Sequence, residues 1–344
     1  MGKNLYTLTH RVLHFKQPAR TSRGEYTERD VWYVTLNFGG REGTGECAPL
    51  PDLSCDALPH AEYETLIHRF AQRTCDEGEI PRRELLSYPS ILFGLECAMR
   101  KLMGEDRIAQ TEGPLINGLI WMGEYEVMRQ RLEEKLAAGY HCIKLKIGAI
   151  NFEDEMNLIE RIRRDYGREV VEIRVDANGQ LVPREMQNVE GLAAIEQRLQ
   201  RLANLDLHSI EQPIHQGQWE LMGHLCRREI LPIALDEELI GINESLHKEA
   251  LLAAICPQYI VLKPSLHGGL SGCEEWIRLA QDKGIGWWAT SALESNVGLA
   301  DIARWTMKFN PTMPQGLGTG LLFTDNAPAE TEIRGERLYF KATP

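Results

Sequence analysis

The 344-residue chain is predicted to be an α/β protein, with a (β/α)8-type barrel over residues 109–319 preceded by an α+β unit over residues 1–108. Three observations predict it. From Leu115 onward, eight short apolar runs recur with starts 25 to 35 residues apart, about the length of a strand, a helix and two loops. The second to sixth runs carry Lys, Asp or Glu at or beside their last positions, the end at which barrels of this class place active sites. Before Leu115, strand-like and helix-like stretches do not alternate. A doubly wound open sheet is the competing topology, but no G-x-G-x-x-G opens a helix after a strand.

In chain order, Trp32–Phe38 is rich in β-formers, and Gly39-Gly40 turns the chain into Gly43-Thr44-Gly45-Glu46-Cys47. Helices are expected at about Leu58–Thr74 and Pro89–Met103, the second with Ile91, Leu95 and Met99 on one face. The barrel strands are expected at Leu115–Ile120, His141–Ile147, Glu172–Asp176, Leu207–Glu211, Pro232–Asp236, Tyr259–Lys263, Gly286–Thr290 and Met313–Gly316. Among the helices between them, Asn151 is an N-cap before Met156, Ile159 and Ile162, and Gly167 is a stop. Gly316-Leu317-Gly318-Thr319-Gly320 is glycine-rich but matches no phosphate-loop spacing.

Composition narrows the function. Lys plus Arg is 38 against 50 Asp plus Glu, a net charge of −12, which argues against a nucleic-acid partner. No apolar run approaches the roughly 20 residues of a membrane span, and the N-terminus carries no secretory pattern. Eight cysteines without a C-x-x-C pair read as free thiols of a cytoplasmic protein. The expected partner is a small-molecule carboxylate, and the sequence is as compatible with a homo-oligomer as with a monomer.

The strand-end charges carry the chemistry. Lys144 and Lys146 are two apart, so strand alternation turns both inward while Ile143, Leu145 and Ile147 face the helices. Like charges inside a barrel are costly unless anions face them. The next three strands end in Asp176, Glu211 and Asp236. Any one of these acids alone is an ordinary helix cap or surface charge. Three in register would repel unless a hard dication lay between them, and an all-oxygen set suits Mg²⁺, with Mn²⁺ as the alternative. Lys263 ends the sixth strand, so a metal would lie between two lysines. That arrangement suits abstraction of a proton α to a carboxylate, because cation and ammonium stabilise an enediolate. The base must be neutral, and crowding by cations lowers a lysine pKa.

The set Lys144-x-Lys146, Asp176-x-Asn178, Glu211-Gln212-Pro213, Asp236-Glu237 and Lys263 resembles the enolase superfamily, in its muconate-lactonizing subgroup, over essentially the whole chain. The N-terminal unit, with Gly43-x-Gly45-Glu46-Cys47-Ala48-Pro49-Leu50-Pro51, resembles that family's capping domain, which residues of about 320–344 would complete. The resemblance implies a Mg²⁺-dependent syn dehydration of 2-succinyl-6-hydroxy-2,4-cyclohexadiene-1-carboxylate in menaquinone biosynthesis. It makes Lys146 the base that then protonates the leaving hydroxyl, Lys263 the electrostatic partner across the ring, and Lys144 an aid that lowers the pKa of Lys146. Asp176, Glu211 and Asp236 become the Mg²⁺ ligands, backed by Asn178, Glu237 and Arg174, the last either a support or a substrate contact. Thr290, Ser291, Gly316 and Leu317 follow strands seven and eight and are expected to hold the substrate tail. Arg23, in the polar segment Arg20–Glu25, belongs to a lid or an ordinary exposed loop. An N-acylamino-acid racemase, a dipeptide epimerase and a muconate cycloisomerase share these residues. Dipeptide epimerases usually carry an acidic D-x-D after strand eight, and residues 316–320 hold no acid. A Schiff-base aldolase using Lys263 or Lys146, and an inactive binding module, are the readings of different class.

Overall fold

The computed structural model describes residues 5–20, 24–106, 111–121, 124–148 and 150–341. Strands β1 (Leu5–Arg20), β2 (Glu25–Phe38) and β3 (Arg41–Cys47) form an antiparallel sheet in that order. Trp32, Val34 and Leu36 alternate along β2 and bury one face against helices α1 (His60–Glu77) and α2 (Pro89–Met103). Gly43 and Gly45 are required by this packing. A Cβ on Gly45 would stand 1.9 Å from the carbonyl oxygen of Gly94 on α2, so only glycine lets β3 approach so closely.

The expected strand at Leu115–Ile120 is two strands, β4 (Glu112–Leu115) and β5 (Gly118–Ile120). The chain then runs α3 (Tyr125–Ala137), β6 (Cys142–Lys146), α4 (Phe152–Asp165), β7 (Glu172–Asp176), α5 (Leu192–Ala203), β8 (Ser209–Glu211) and α6 (Trp219–Arg228). It continues through β9 (Ile233–Leu235), α7 (Ser245–Ile255), β10 (Tyr259–Leu262), α8 (Gly269–Gln281), β11 (Gly286–Ala289) and α9 (Asn296–Met307). Strands β5 to β11 form one parallel sheet in sequential order. Asn151 caps α4 by accepting from the Glu153 N–H, as its position in the sequence predicts.

The eighth βα period departs from expectation. Met313–Gly316 is no regular strand, and no helix follows it among the described residues. Pro314 has no N–H to donate, so a full ladder cannot form there. Isolated parallel bridges still close the ring, Ile116 with Gln315 on one side and Thr290 with Gly316 on the other. The Gln315 side chain supplies the missing ladder partner, accepting from the Ala289 N–H at 2.7 Å.

The last residues also differ from a simple return to the cap. Phe323 bridges Phe15 on β1, and the Lys16 N–H donates to the Leu322 carbonyl. The hairpin β12 (Thr331–Arg334) and β13 (Arg337–Phe340) instead pairs with β4 beside the start of the barrel. Glu336 at its turn accepts from the His141 N–H at 2.9 Å, which pins the hairpin at the N-terminal end of β6.

Two cap carboxylates fasten the cap to the barrel by capping its helices. Glu46 on β3 accepts from the Ser295 N–H at 2.9 Å and the Gly298 N–H at 2.9 Å, at the start of α9. Glu96 on α2 accepts from the Ser271 N–H at 3.1 Å, in the first turn of α8. Helix N-termini attract negative charge, and these donors would otherwise be orphaned in a buried seam. Glu46→Ala is expected to cost about 2–3 kcal/mol by stranding buried donors. Calorimetry should show a lower denaturation midpoint. An unchanged midpoint would mean that water satisfies the start of α9 equally well.

Candidate active site

The inward-facing residues stack in layers. Ala234, Val261 and Trp288, with Tyr259 and Met313, form an apolar floor. Above it, Lys146, Asp176 and Glu211 stand side by side in register on β6, β7 and β8. Ile143, Leu145 and Ile147 are buried against the helices, so the alternation that turns Lys144 and Lys146 inward holds along β6.

The lysines are paired with the acids. Lys144 Nζ lies 2.7 Å from both Asp176 Oδ2 and Glu211 Oε1, and Lys146 Nζ lies 2.6 Å from Asp176 Oδ2. Lys263 Nζ lies 2.5 Å from Asp236 Oδ2. β6 and β10 are the second and sixth strands of an eight-membered ring, so Lys146 and Lys263 reach the centre from opposite sides. Burial pushes the Asp176 carboxyl up, but the ammonium groups of Lys144 and Lys146 hold it well below the carboxylate range. Burial and neighbouring Asp176 push Glu211 well up. Burial opposes the charges on Lys144 and Lys263, yet the facing acids hold both above the ordinary lysine value.

The oxygens fit a hard dication. Asp236 Oδ1 and Glu237 Oε2 are buried without hydrogen-bond partners, acceptors aimed at no donor among the described residues. Asp176, Glu211 and Asp236 are not gathered within 4.8 Å of one another, because Lys144 stands between the first two and Lys263 against the third. Asn178 ties the set together, accepting from Lys146 Nζ at 2.8 Å and donating to Glu237 Oε1 at 2.9 Å.

A cavity of about 550 Å³ lies over this layer, lined by Lys144, Lys146, Asn178, Glu237 and Lys263. Thr290, Ser291 and Gly316 line it too, as their positions after strands seven and eight predict. Leu50 and Leu53 from the cap, with Leu119, Trp121, Leu293 and Leu322, make much of its wall apolar. A second cavity of about 850 Å³ shares Lys146, Asn178 and Trp121 and reaches Gln17, Pro18 and Ala19 on β1.

Two expected site residues lie elsewhere. Leu317 is fully buried in the barrel core, because its side chain turns away from the cavity that Gly316 lines. Arg174 points inward below Asp176, but it donates to Glu172 and the Pro314 carbonyl and lies 4.5 Å over the Trp288 ring. It braces the floor and touches no cavity-lining carboxylate. Arg23 lies outside the described residues.

Three positioning residues lie beyond the expected site, Gln212 appearing in the sequence only within the Glu211-Gln212-Pro213 motif. Gln212, held at φ 41°, donates to Glu238 and accepts from the Asp236 N–H, linking the loops after β8 and β9. Glu294 is buried and accepts from Ser265 and Ser291, fixing the loop beyond β11. His267 Nδ1 accepts from the Lys263 N–H, and burial keeps its imidazole neutral, down at about 3. Glu294 and His267 sit in loops where an isolated Glu or His looks like any surface residue.

Known proteins match this arrangement. The enolase C-terminal domain-like family matches residues 127–321, and the MenC N-terminal domain family matches residues 14–102. The o-succinylbenzoate synthase of Desulfotalea psychrophila is 43% identical, over 95% of this chain and 96% of its own. The crystal structure of MenC from the same organism superposes with a TM-score of 0.84 at 39% identity, covering 98% of this chain and 100% of that one. The muconate lactonizing enzyme of Pseudomonas fluorescens, at 19% identity and a TM-score of 0.81, covers 99% of this chain and 94% of its own and shares the fold. With the family match spanning more than half the chain, and a relative this similar along nearly all of it, the chain belongs to the enolase superfamily, within the family of the o-succinylbenzoate synthases.

Proposed function

We propose that this chain is a Mg²⁺-dependent hydro-lyase of menaquinone biosynthesis, which dehydrates 2-succinyl-6-hydroxy-2,4-cyclohexadiene-1-carboxylate to 2-succinylbenzoate. The observation that carries the reading is the entry of Lys146 and Lys263 into one cavity from opposite sides, above three buried carboxylates. Asp176, Glu211 and Asp236 would hold the cation, with Glu237 and Asn178 behind them. A Mg²⁺ ion bound there would supply a Lewis acid for the substrate carboxylate and a counter-charge to the acids.

Lys146 Nζ then takes the α-proton and returns a proton to the departing β-hydroxyl on the same face, a syn elimination. Lys263, across the ring, opposes the negative charge that develops on the carboxylate oxygens. Asn178 orients Lys146 through its 2.8 Å hydrogen bond. The apolar wall of Leu50, Leu53, Trp121 and Leu293 suits a cyclohexadiene ring and excludes water from the reacting face. Gly316, Gly318 and Thr319 offer no carboxylate for a substrate amine, which separates this cavity from that expected of a dipeptide epimerase. Eight free thiols, six of them buried, accord with work in the cytoplasm. No helix among the described residues is long and apolar enough to cross a membrane.

The test is direct. Purified protein with Mg²⁺ and the succinyl-hydroxycyclohexadiene acid is expected to shift the ultraviolet spectrum as the ring becomes aromatic. EDTA should stop the reaction and excess Mg²⁺ restore it, while borohydride traps nothing. No spectral change with Mg²⁺ present would overturn the assignment, and covalent trapping by borohydride would point to Schiff-base chemistry instead.

A further inference from the structure

We propose that the cap carries a second metal site, for a borderline dication of the Zn²⁺ class, built by His10, Asp30 and His60. His10 lies on β1, Asp30 on β2 and His60 at the first position of α1. Their ligand atoms all fall within 4.8 Å of one another, the one such trio of His, Cys, Asp or Glu among the described residues. His10 Nε2 stands 2.6 Å from Asp30 Oδ1 and 3.3 Å from His60 Nε2. Bonds of about 2.0–2.1 Å to a tetrahedral Zn²⁺ place neighbouring ligand atoms about 3.3–3.4 Å apart. The two nitrogens therefore already stand at a ligand–ligand spacing.

Proton accounting favours a cation at this point. Two neutral imidazoles presenting Nε2 to each other share one proton at most, and Asp30 draws that same proton from His10. A dication satisfies all three lone pairs at once. The rings are also held in place. Glu64 Oε2 lies 3.5 Å from His60 Nδ1, which puts a carboxylate behind the second imidazole. Trp32 packs against both imidazoles, with ring centroids 4.8 Å from His10 and 5.0 Å from His60.

The donor set separates this site from the catalytic one. Two imidazoles and one carboxylate select Zn²⁺, Co²⁺ or Ni²⁺ over Mg²⁺, whereas the all-oxygen set in the barrel does the reverse. Asp30 and His60 are exposed, so water completes the coordination. The bound ion would staple the β1–β2 edge to the start of α1. Residues 50–59, which include the cavity-lining Leu50 and Leu53, lead directly into that helix.

The experiment uses the whole chain, stripped of metal and then kept in millimolar Mg²⁺ to fill the barrel site. Zn²⁺ alone is titrated against a chromophoric chelator, and Co²⁺ is read by its visible absorption. One equivalent of Zn²⁺, a tetrahedral Co²⁺ spectrum and a raised denaturation midpoint are expected in the unaltered chain. His60→Ala and the shape-preserving Asp30→Asn should each weaken Zn²⁺ at least about 10-fold, with Mg²⁺-supported dehydration unchanged. Absence of Zn²⁺ binding in the presence of Mg²⁺, or equal affinity in both variants and the unaltered chain, would overturn the site.

Discussion

Lys146→Ala is expected to lower kcat for dehydration by at least about 10³-fold if, as proposed, one side chain serves as both base and acid, since such roles are each worth roughly 10²–10⁴. Mg²⁺ affinity should largely survive, because Asp176, Glu211 and Asp236 all remain and one competing ammonium is gone. A Mg²⁺ titration of the residual activity separates the two effects. Lys146→Arg should not rescue the rate, because a guanidinium stays protonated and cannot accept the α-proton. Lys146→Ala turning over near the unaltered rate would refute its role as the base, whatever the behaviour of the metal. Lys263→Ala tests the opposite wall, where loss of charge stabilisation should cost about 10²–10³-fold without changing which proton is removed.

Asp176→Asn is expected to have the largest combined effect on activity and stability. Asp176 is fully buried and pairs both Lys144 and Lys146, so its removal leaves buried ammonium charge underpaired. A loss on the order of 3 kcal/mol follows from breaking a buried pair on one side. Dehydration should become undetectable, with Mg²⁺ no longer restoring it. The pH dependence has a defined sign. The folded-state pKa of Asp176 is depressed, so its contribution is present above the unfolded value of about 3.9 and is lost as pH falls through the depressed value. The folded-state pKa of Lys144 is raised, so its contribution is full below about 10.4 and fades as pH rises through the raised value. The stability gap between Asp176→Asn and the unaltered chain should therefore stay level between about pH 5 and 9 and close in strong acid. Denaturant unfolding across that range measures it, and a gap that closes near neutral pH would mean that Asp176 is not the anion pairing these lysines.

The residues at the ends of the second to sixth strands were legible because two local rules suffice to place them. Strand alternation decides which side chains face inward, and the end of an apolar run decides which of them reach the rim. Lys146, Asp176 and Glu211 stand side by side in register for that reason, Lys144 lies two residues below Lys146 on the same face, and Lys263 pairs with Asp236. The substrate-tail residues were less legible. Gly316 and Leu317 are neighbours in a glycine-rich stretch, and sequence assigns both to the cavity, yet Leu317 turns into the core. Arg174 shares its strand face with Asp176, but the Trp288 ring and the Pro314 carbonyl hold it at the floor. Periodicity names a face and cannot say how deep along that face a side chain finds its partner.

By itself, the sequence determined the class of fold, the inward lysines and acids, and the helices whose apolar faces repeat every three to four residues. These depend on properties of a short stretch of chain. Tertiary structure alone decided how the barrel closes, where Gln315 stands in for a ladder that Pro314 interrupts. It also decided that Glu46 and Glu96 in the cap would cap helices of the barrel, and that His10, Asp30 and His60 would meet. Those partners lie 20 to 252 residues apart in the chain. A carboxylate or imidazole is chemically the same in a loop, at a helix end or beside a metal. Which of these it becomes is set by burial and by the donors that the folded chain brings to it, and no local pattern carries that information.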